Sequence, residues 1–153
     1  KSFNLTGARI SFVVGNKQII NKLKVFRSQI DYGVFLPVQY AAIAALTGPL
    51  DVVEEQRQEY EKRNKMLCGG LRSIGWDVPD SQGTMFVWAK IPGKYKSSVE
   101  FCLDLMEKTG VIVTPGNAFG SRGEGYVRMA LVVGEETISE LLSVLEESNI
   151  FSK

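Results

Sequence analysis

Three cations and one absence decide what chemistry this sequence can carry. Lys1 opens the chain, Arg9 follows a Gly-containing turn, and Arg128 sits in the middle of the β-rich stretch YVRMALVV. A lysine amine forms a Schiff base with an aldehyde, and its pKa falls when it is desolvated or set near other cations. By itself, though, a terminal lysine reads as a solvated charge. An arginine at a strand mouth can hold a phosphate in a bidentate fork, or simply face water. In mid-strand, Arg128 shares one face with Tyr126 and Ala130, while Val127, Met129 and Leu131 share the other. A cation there needs a partner, because burying it unpaired is costly. That partner is a structural carboxylate or the carboxylate of a ligand. The sequence has no histidine. This removes Ser-His-Asp and Cys-His triads and most zinc sites, and no metal site is expected.

The elements that must position these residues can be read from local patterns. Residues 8–14 (ARISFVV) predict a strand that ends at the turn signal Gly15-Asn16. Asn16 can cap a helix carrying Ile19, Ile20, Leu23 and Phe26 at helical spacing. A short Ala-rich helix follows Pro37 and stops at Gly48-Pro49. Asp51 is the expected N-cap of a long helix reaching about Ile74, a length suited to a connector between two lobes. Beyond it the pattern predicts a strand over residues 85–91 and a helix capped by Ser97 or Ser98. A short strand over residues 111–114, a strand over residues 126–133 and a final amphipathic helix over residues 135–147 complete the chain. This β-α-β-β-α order suits a small α+β sandwich.

Other features read as structural. The loop from Gly120 to Gly125 is glycine-rich, but it precedes a strand instead of opening a helix. It therefore lacks the amide cradle of a nucleotide site and reads as a flexible hairpin-like loop. Phe86, Trp88 and Tyr126 are expected in the core. Tyr32 and Phe35 sit in a loop where an exposed aromatic can mark an interface. Cys68 and Cys102 lack metal or redox spacing and read as small buried side chains in a reducing cytosol. The formal net charge of +1 gives no field that would favour nucleic acid. No apolar stretch approaches the roughly 18 residues of a membrane span. The opening KSFNLTGAR has neither the signature of a secretory signal nor an initiator Met, so the segment is expected to start within a longer polypeptide or to have been processed.

At this point the motifs resemble a known family. Lys1-Ser-Phe-Asn-Leu-Thr-Gly-Ala-Arg9 is similar to the cofactor-lysine signature of class I/II aminotransferases, the fold type I pyridoxal-phosphate (PLP) enzymes. In that signature a Schiff-base lysine is followed eight residues later by an arginine that binds the cofactor phosphate. Ser11 stands where the family often has Gly. Val113-Thr-Pro-Gly-Asn-Ala-Phe-Gly120 and Gly125-Tyr-Val-Arg128 resemble the segment whose arginine grips the substrate α-carboxylate. Gly83-Thr-Met-Phe-Val-Trp88 is similar to the small-domain strand that precedes it.

The resemblance implies an α/β fold, the C-terminal part of a fold type I PLP transferase. Residues 1–50 would be the end of the large PLP-binding domain, 51–78 an interdomain helix and 79–153 the small α+β domain. It implies Lys1 as catalytic and cofactor-binding, Arg9 as cofactor-binding and Arg128 as substrate-binding. It also implies pyridoxal 5'-phosphate as cofactor, amino acid and 2-oxo acid substrates, ping-pong transamination and a cytoplasmic homodimer without nucleic-acid or membrane partners. Cofactor-binding groups that the family carries upstream of the lysine are not in this sequence, so the segment alone is expected to bind PLP weakly and not to transaminate. Another PLP reaction on the same scaffold (a carbon–sulfur lyase or a synthase), a ligand-sensing domain of a transcription regulator, and a free-standing interaction module stay open. Dicarboxylic, aromatic, methionine-related and diaminopimelate-type substrates also stay open.

Overall fold

The computed structural model describes residues 2–151. The chain divides into two compact units, residues 1–57 and 58–153, and the boundary falls inside a long helix.

The first unit is helical. A 3-10 turn (Thr6–Ala8) is followed by α1 (Lys17–Ser28), α2 (Leu36–Thr47) and the start of α3 (Asp51–Ser73). Asn16 caps α1 as expected, its Oδ1 accepting from the amide of Gln18 at 2.9 Å. The expected strand over residues 8–14 is absent. A β-rich segment becomes a strand only when a neighbour completes its ladder, and none does so among the described residues. Asp51 is the first helical residue of α3 and not its N-cap. The carbonyl of Leu50 accepts from Val53 and Glu54. Asp51 still places a negative charge in the first turn, where the helix dipole favours it.

The second unit holds the sheet. β1 (Phe86–Lys90), α4 (Ser98–Thr109), β2 (Thr114–Pro115), β3 (Tyr126–Ala130) and α5 (Glu135–Glu147) follow the end of α3. The strands lie in the order β1-β3-β2, all pairs antiparallel, with Trp88 opposite Arg128 and Lys90 opposite Tyr126. The expected strands are shorter than predicted. β2 retains only two residues, and its Pro115 has no amide to extend an edge ladder.

Alternation sorts the sheet into two faces. Val87, Ala89, Val127 and Met129 are buried. They join Leu67, Cys68 and Leu71 of α3, Phe101 and Leu105 of α4, and Ile138 and Leu145 of α5 in one core. Trp76 closes that core, stacked on Phe151 at 4.8 Å and edge-on to Phe101 at 5.3 Å. Its indole N–H donates to the carbonyl of Lys90. Truncating a side chain such as Leu71, which is fully buried, costs about 2–5 kcal/mol.

Phe86, Trp88 and Tyr126 lie on the opposite face and do not build the core as the sequence had suggested. Trp88 is 40% exposed, and its ring stacks on Tyr126. Cys68 is buried and Cys102 only partly so. Burial pushes both thiols above their ordinary pKa. Among the described residues no single helix is long and apolar enough to cross a membrane.

Candidate functional site

Arg9 belongs to the first unit and Arg128 to the second, and Lys1 lies outside the described residues. Arg9 follows the 3-10 turn in a left-handed conformation, φ 52°. That geometry is uncommon for a side chain larger than Gly. Its guanidinium is exposed and, among the described residues, makes only one long contact, 3.5 Å, to the carbonyl of Thr6. The rest of its donor fork is available to an anion, which fits a phosphate group. Asn4, also at positive φ, accepts a hydrogen bond from Gln56.

Arg128 is half-buried on the open face of the sheet. Among the described residues it makes no ion pair and no side-chain hydrogen bond, so the structural carboxylate left open above is not there. Its neighbours are aromatic. The guanidinium carbon Cζ lies over the Phe86 ring at 4.2 Å and over the Phe119 ring at 4.4 Å. Phe119 also meets Trp88 edge-on at 5.8 Å. Rings attract the cation through their quadrupoles but give its N–H groups no acceptor. The charge is thus held in place while its hydrogen-bonding capacity stays unspent.

The backbone around this site is firmly tied. Buried Asn64 of α3 donates to the carbonyl of Ser81 at 3.0 Å and accepts from its amide at 3.2 Å. Thr84 follows at φ 70°, a strained conformation for a β-branched residue. Its Oγ1 accepts from the amide of Phe86 at 3.1 Å. On the other side, Phe119 ends a 3-10 turn (Gly116–Phe119) that crosses a second turn (Ser121–Gly123). The two approach so closely that a Cβ on Gly116 would sit 2.1 Å from the carbonyl oxygen of Gly123.

The glycine-rich loop is therefore a pinned crossing and not a flexible hairpin. Glu124 pins it further. Its Oε1 accepts from the Ser98 amide at 2.6 Å, the Ser98 hydroxyl at 2.9 Å and the Gly125 amide at 2.9 Å. These hydrogen bonds hold its carboxyl below the usual range. Ser97, not Ser98, caps α4, its Oγ accepting from the amide of Glu100. No group of acidic or sulfur side chains able to hold a metal occurs among the described residues.

Sequence reasoning found Arg128 but missed its surroundings. The signal for Phe86 and Trp88 was present, since they alternate with the small buried Val87 and Ala89. Phe119 lies within the motif Val113–Gly120, but its place beside Arg128 depends on the crossing of two turns and was not marked by any local pattern.

The mixed α/β segment carries one exposed arginine and one strand-borne arginine with no acidic partner among the described residues, and comparison with known proteins gives the family. The model for aminotransferase class I and II matches residues 1–145. The chain belongs to that family. It is 47% identical over 150 residues to an LL-diaminopimelate aminotransferase of Halothermothrix orenii, covering 98% of this chain and 38% of that protein. It is 41% identical over 144 residues to a glutamate-pyruvate aminotransferase of Escherichia coli, covering 93% and 35%. A solved aminotransferase from Staphylococcus aureus superposes with a TM-score of 0.90 at 31% identity, over 100% of this chain and 40% of that one. The chain thus spans about two fifths of the length of these relatives.

Proposed function

We propose that the polypeptide carrying this chain is a PLP-dependent aminotransferase that moves an amino group from an amino acid to a 2-oxo acid. The observation that carries the reading is Arg128: a half-buried cation with no acidic partner among the described residues, held on an open sheet face beneath two aromatic rings. The spacing of Lys1 and Arg9 and the family match support it. On this reading residues 1–50 complete a large PLP-binding domain, 51–78 join the domains and 79–153 form the small one. The enzyme works as a cytoplasmic homodimer without nucleic acid or membrane. The relatives' names make a diaminopimelate-type amino acid the first substrate to try.

The roles of the chain's own residues follow from their chemistry. Arg9 would receive the cofactor phosphate in its exposed fork. Lys1 would hold the cofactor through its Nζ. PLP, when bound, supplies the electron-withdrawing ring that makes the substrate Cα–H acidic. Arg128 would take the substrate carboxylate edge-on, fixing the orientation of Cα. Lys1 Nζ would also be the base that removes the Cα proton.

The test is turnover of the complete polypeptide with amino acid and 2-oxo acid pairs. Lys1→Ala should abolish turnover and the visible absorbance of the bound cofactor. Arg128→Lys should lower kcat/KM roughly thirty- to hundredfold, the worth of a charge-assisted bidentate contact. The 153-residue segment alone should not turn over. Full activity in Lys1→Ala would refute the assignment.

A further inference from the structure

We propose that Phe86 and Phe119 are positioning residues that set the orientation of the Arg128 guanidinium before a carboxylate arrives. The inference rests on the substrate-binding reading of Arg128 and extends it to residues that carry no charge.

Three observations lead there. First, Arg128 has no polar side-chain partner among the described residues. Two rings approach its Cζ at 4.2 and 4.4 Å. An arginine has a long, rotamer-rich side chain, and ordering it at the moment of binding costs affinity. Rings that attract the cation order it beforehand and consume none of its donors.

Second, each ring is delivered by a fixed stretch of backbone. Phe86 follows Thr84, which holds a left-handed φ of 70° and whose Oγ1 accepts from the Phe86 amide. Strain of this kind persists only where the surroundings over-determine it, and Asn64, through Ser81, supplies the anchor. Phe119 ends the turn locked by the Gly116–Gly123 crossing.

Third, Phe119 is 51% exposed. Its position is not explained by core packing. Its ring contacts are Arg128 and Trp88, both on the open face.

Phe119→Leu removes the ring and keeps an apolar side chain, whereas Phe119→Tyr keeps the ring. In the complete polypeptide, Phe119→Leu should raise KM for the amino acid about tenfold while kcat changes little, and Phe119→Tyr should stay near wild type. Phe86→Leu should behave as Phe119→Leu does. In an Arg128→Lys background Phe119→Leu should add little, because the planar cation it orients is gone. An equal KM increase in both backgrounds, no increase, or equal behaviour of the Leu and Tyr variants would overturn the proposal.

A wild-type protein that turns over no amino acid would sink the proposed activity instead. The positioning role is then judged by rotation of the Arg128 guanidinium about Cζ–Nε, measured by 15N exchange. Faster rotation in Phe119→Leu than in Phe119→Tyr supports it, and equal rates overturn it. The same measurement decides the matter if the Leu variant loses stability.

Discussion

Glu124 shows how much one exposed carboxylate can organise. It collects hydrogen bonds from the Ser98 amide, the Ser98 hydroxyl and the Gly125 amide, and these lower its pKa from the ordinary 4.5. A carboxyl with a lower pKa in the folded state contributes stability that is complete above its ordinary value. That contribution disappears as pH falls through the folded value. Glu124→Gln should therefore be less stable than wild type at neutral pH, and the gap should close below the ordinary carboxylate range. Urea unfolding at both pH values measures this, and a constant gap would speak against it. Nothing in the sequence announced this role, because its partner Ser98 lies a helix away. Arg128 was legible for the opposite reason: a charge in mid-strand stands out against its apolar neighbours within a few residues. Phe86 and Trp88 were misread because aromatic composition suggested core, although the alternation with Val87 and Ala89 pointed outward.

Elements defined by local signals were read well. Asn16 and Ser97 cap their helices through contacts within three residues, so sequence alone suffices. Elements that depend on distant neighbours were not. Residues 8–14 lack a paired strand, and β2 shrinks to a proline-bearing edge. The crossing of the two 3-10 turns is the extreme case, since only its glycines are visible in sequence. A Cβ on Gly123 would sit 2.0 Å from the carbonyl oxygen of Gly116. Both are backbone positions that cannot rotate away, so Gly123→Ala should cost about 1–3 kcal/mol or more. Gly93, where an added methyl group would meet open space among the described residues, is the control. Gly93→Ala should change stability by no more than about 0.5 kcal/mol. Denaturant midpoints compare the two, and equal losses would mean that the crossing relaxes freely.

At the scale of the molecule, the units differ in what they can bury. Every buried apolar residue falls between Leu67 and Phe151. The described residues of the first unit include none. α2 is apolar on all sides yet leaves Leu36, Tyr40, Ile43 and Leu46 exposed, a pattern typical of a helix surrounded by protein. Residues 58–153 expressed alone should therefore unfold cooperatively and give a dispersed NMR spectrum, and residues 1–57 alone should not. A molten 58–153 segment would contradict this. The sequence had shown α2 as an apolar helix, but its need for a covering partner emerged only from its exposure.

The two tryptophans turn this asymmetry into an optical property. Trp76 is 3% exposed and stacked on Phe151, whereas Trp88 is 40% exposed and pairs across the strands with Arg128. One indole is shielded from dissolved quenchers and emits from an apolar interior. The other is open to them and lies opposite Arg128. The protein thus carries two tryptophan fluorophores separable by wavelength and quencher access. One reports whether the core is closed, and the other whether the open face is occupied.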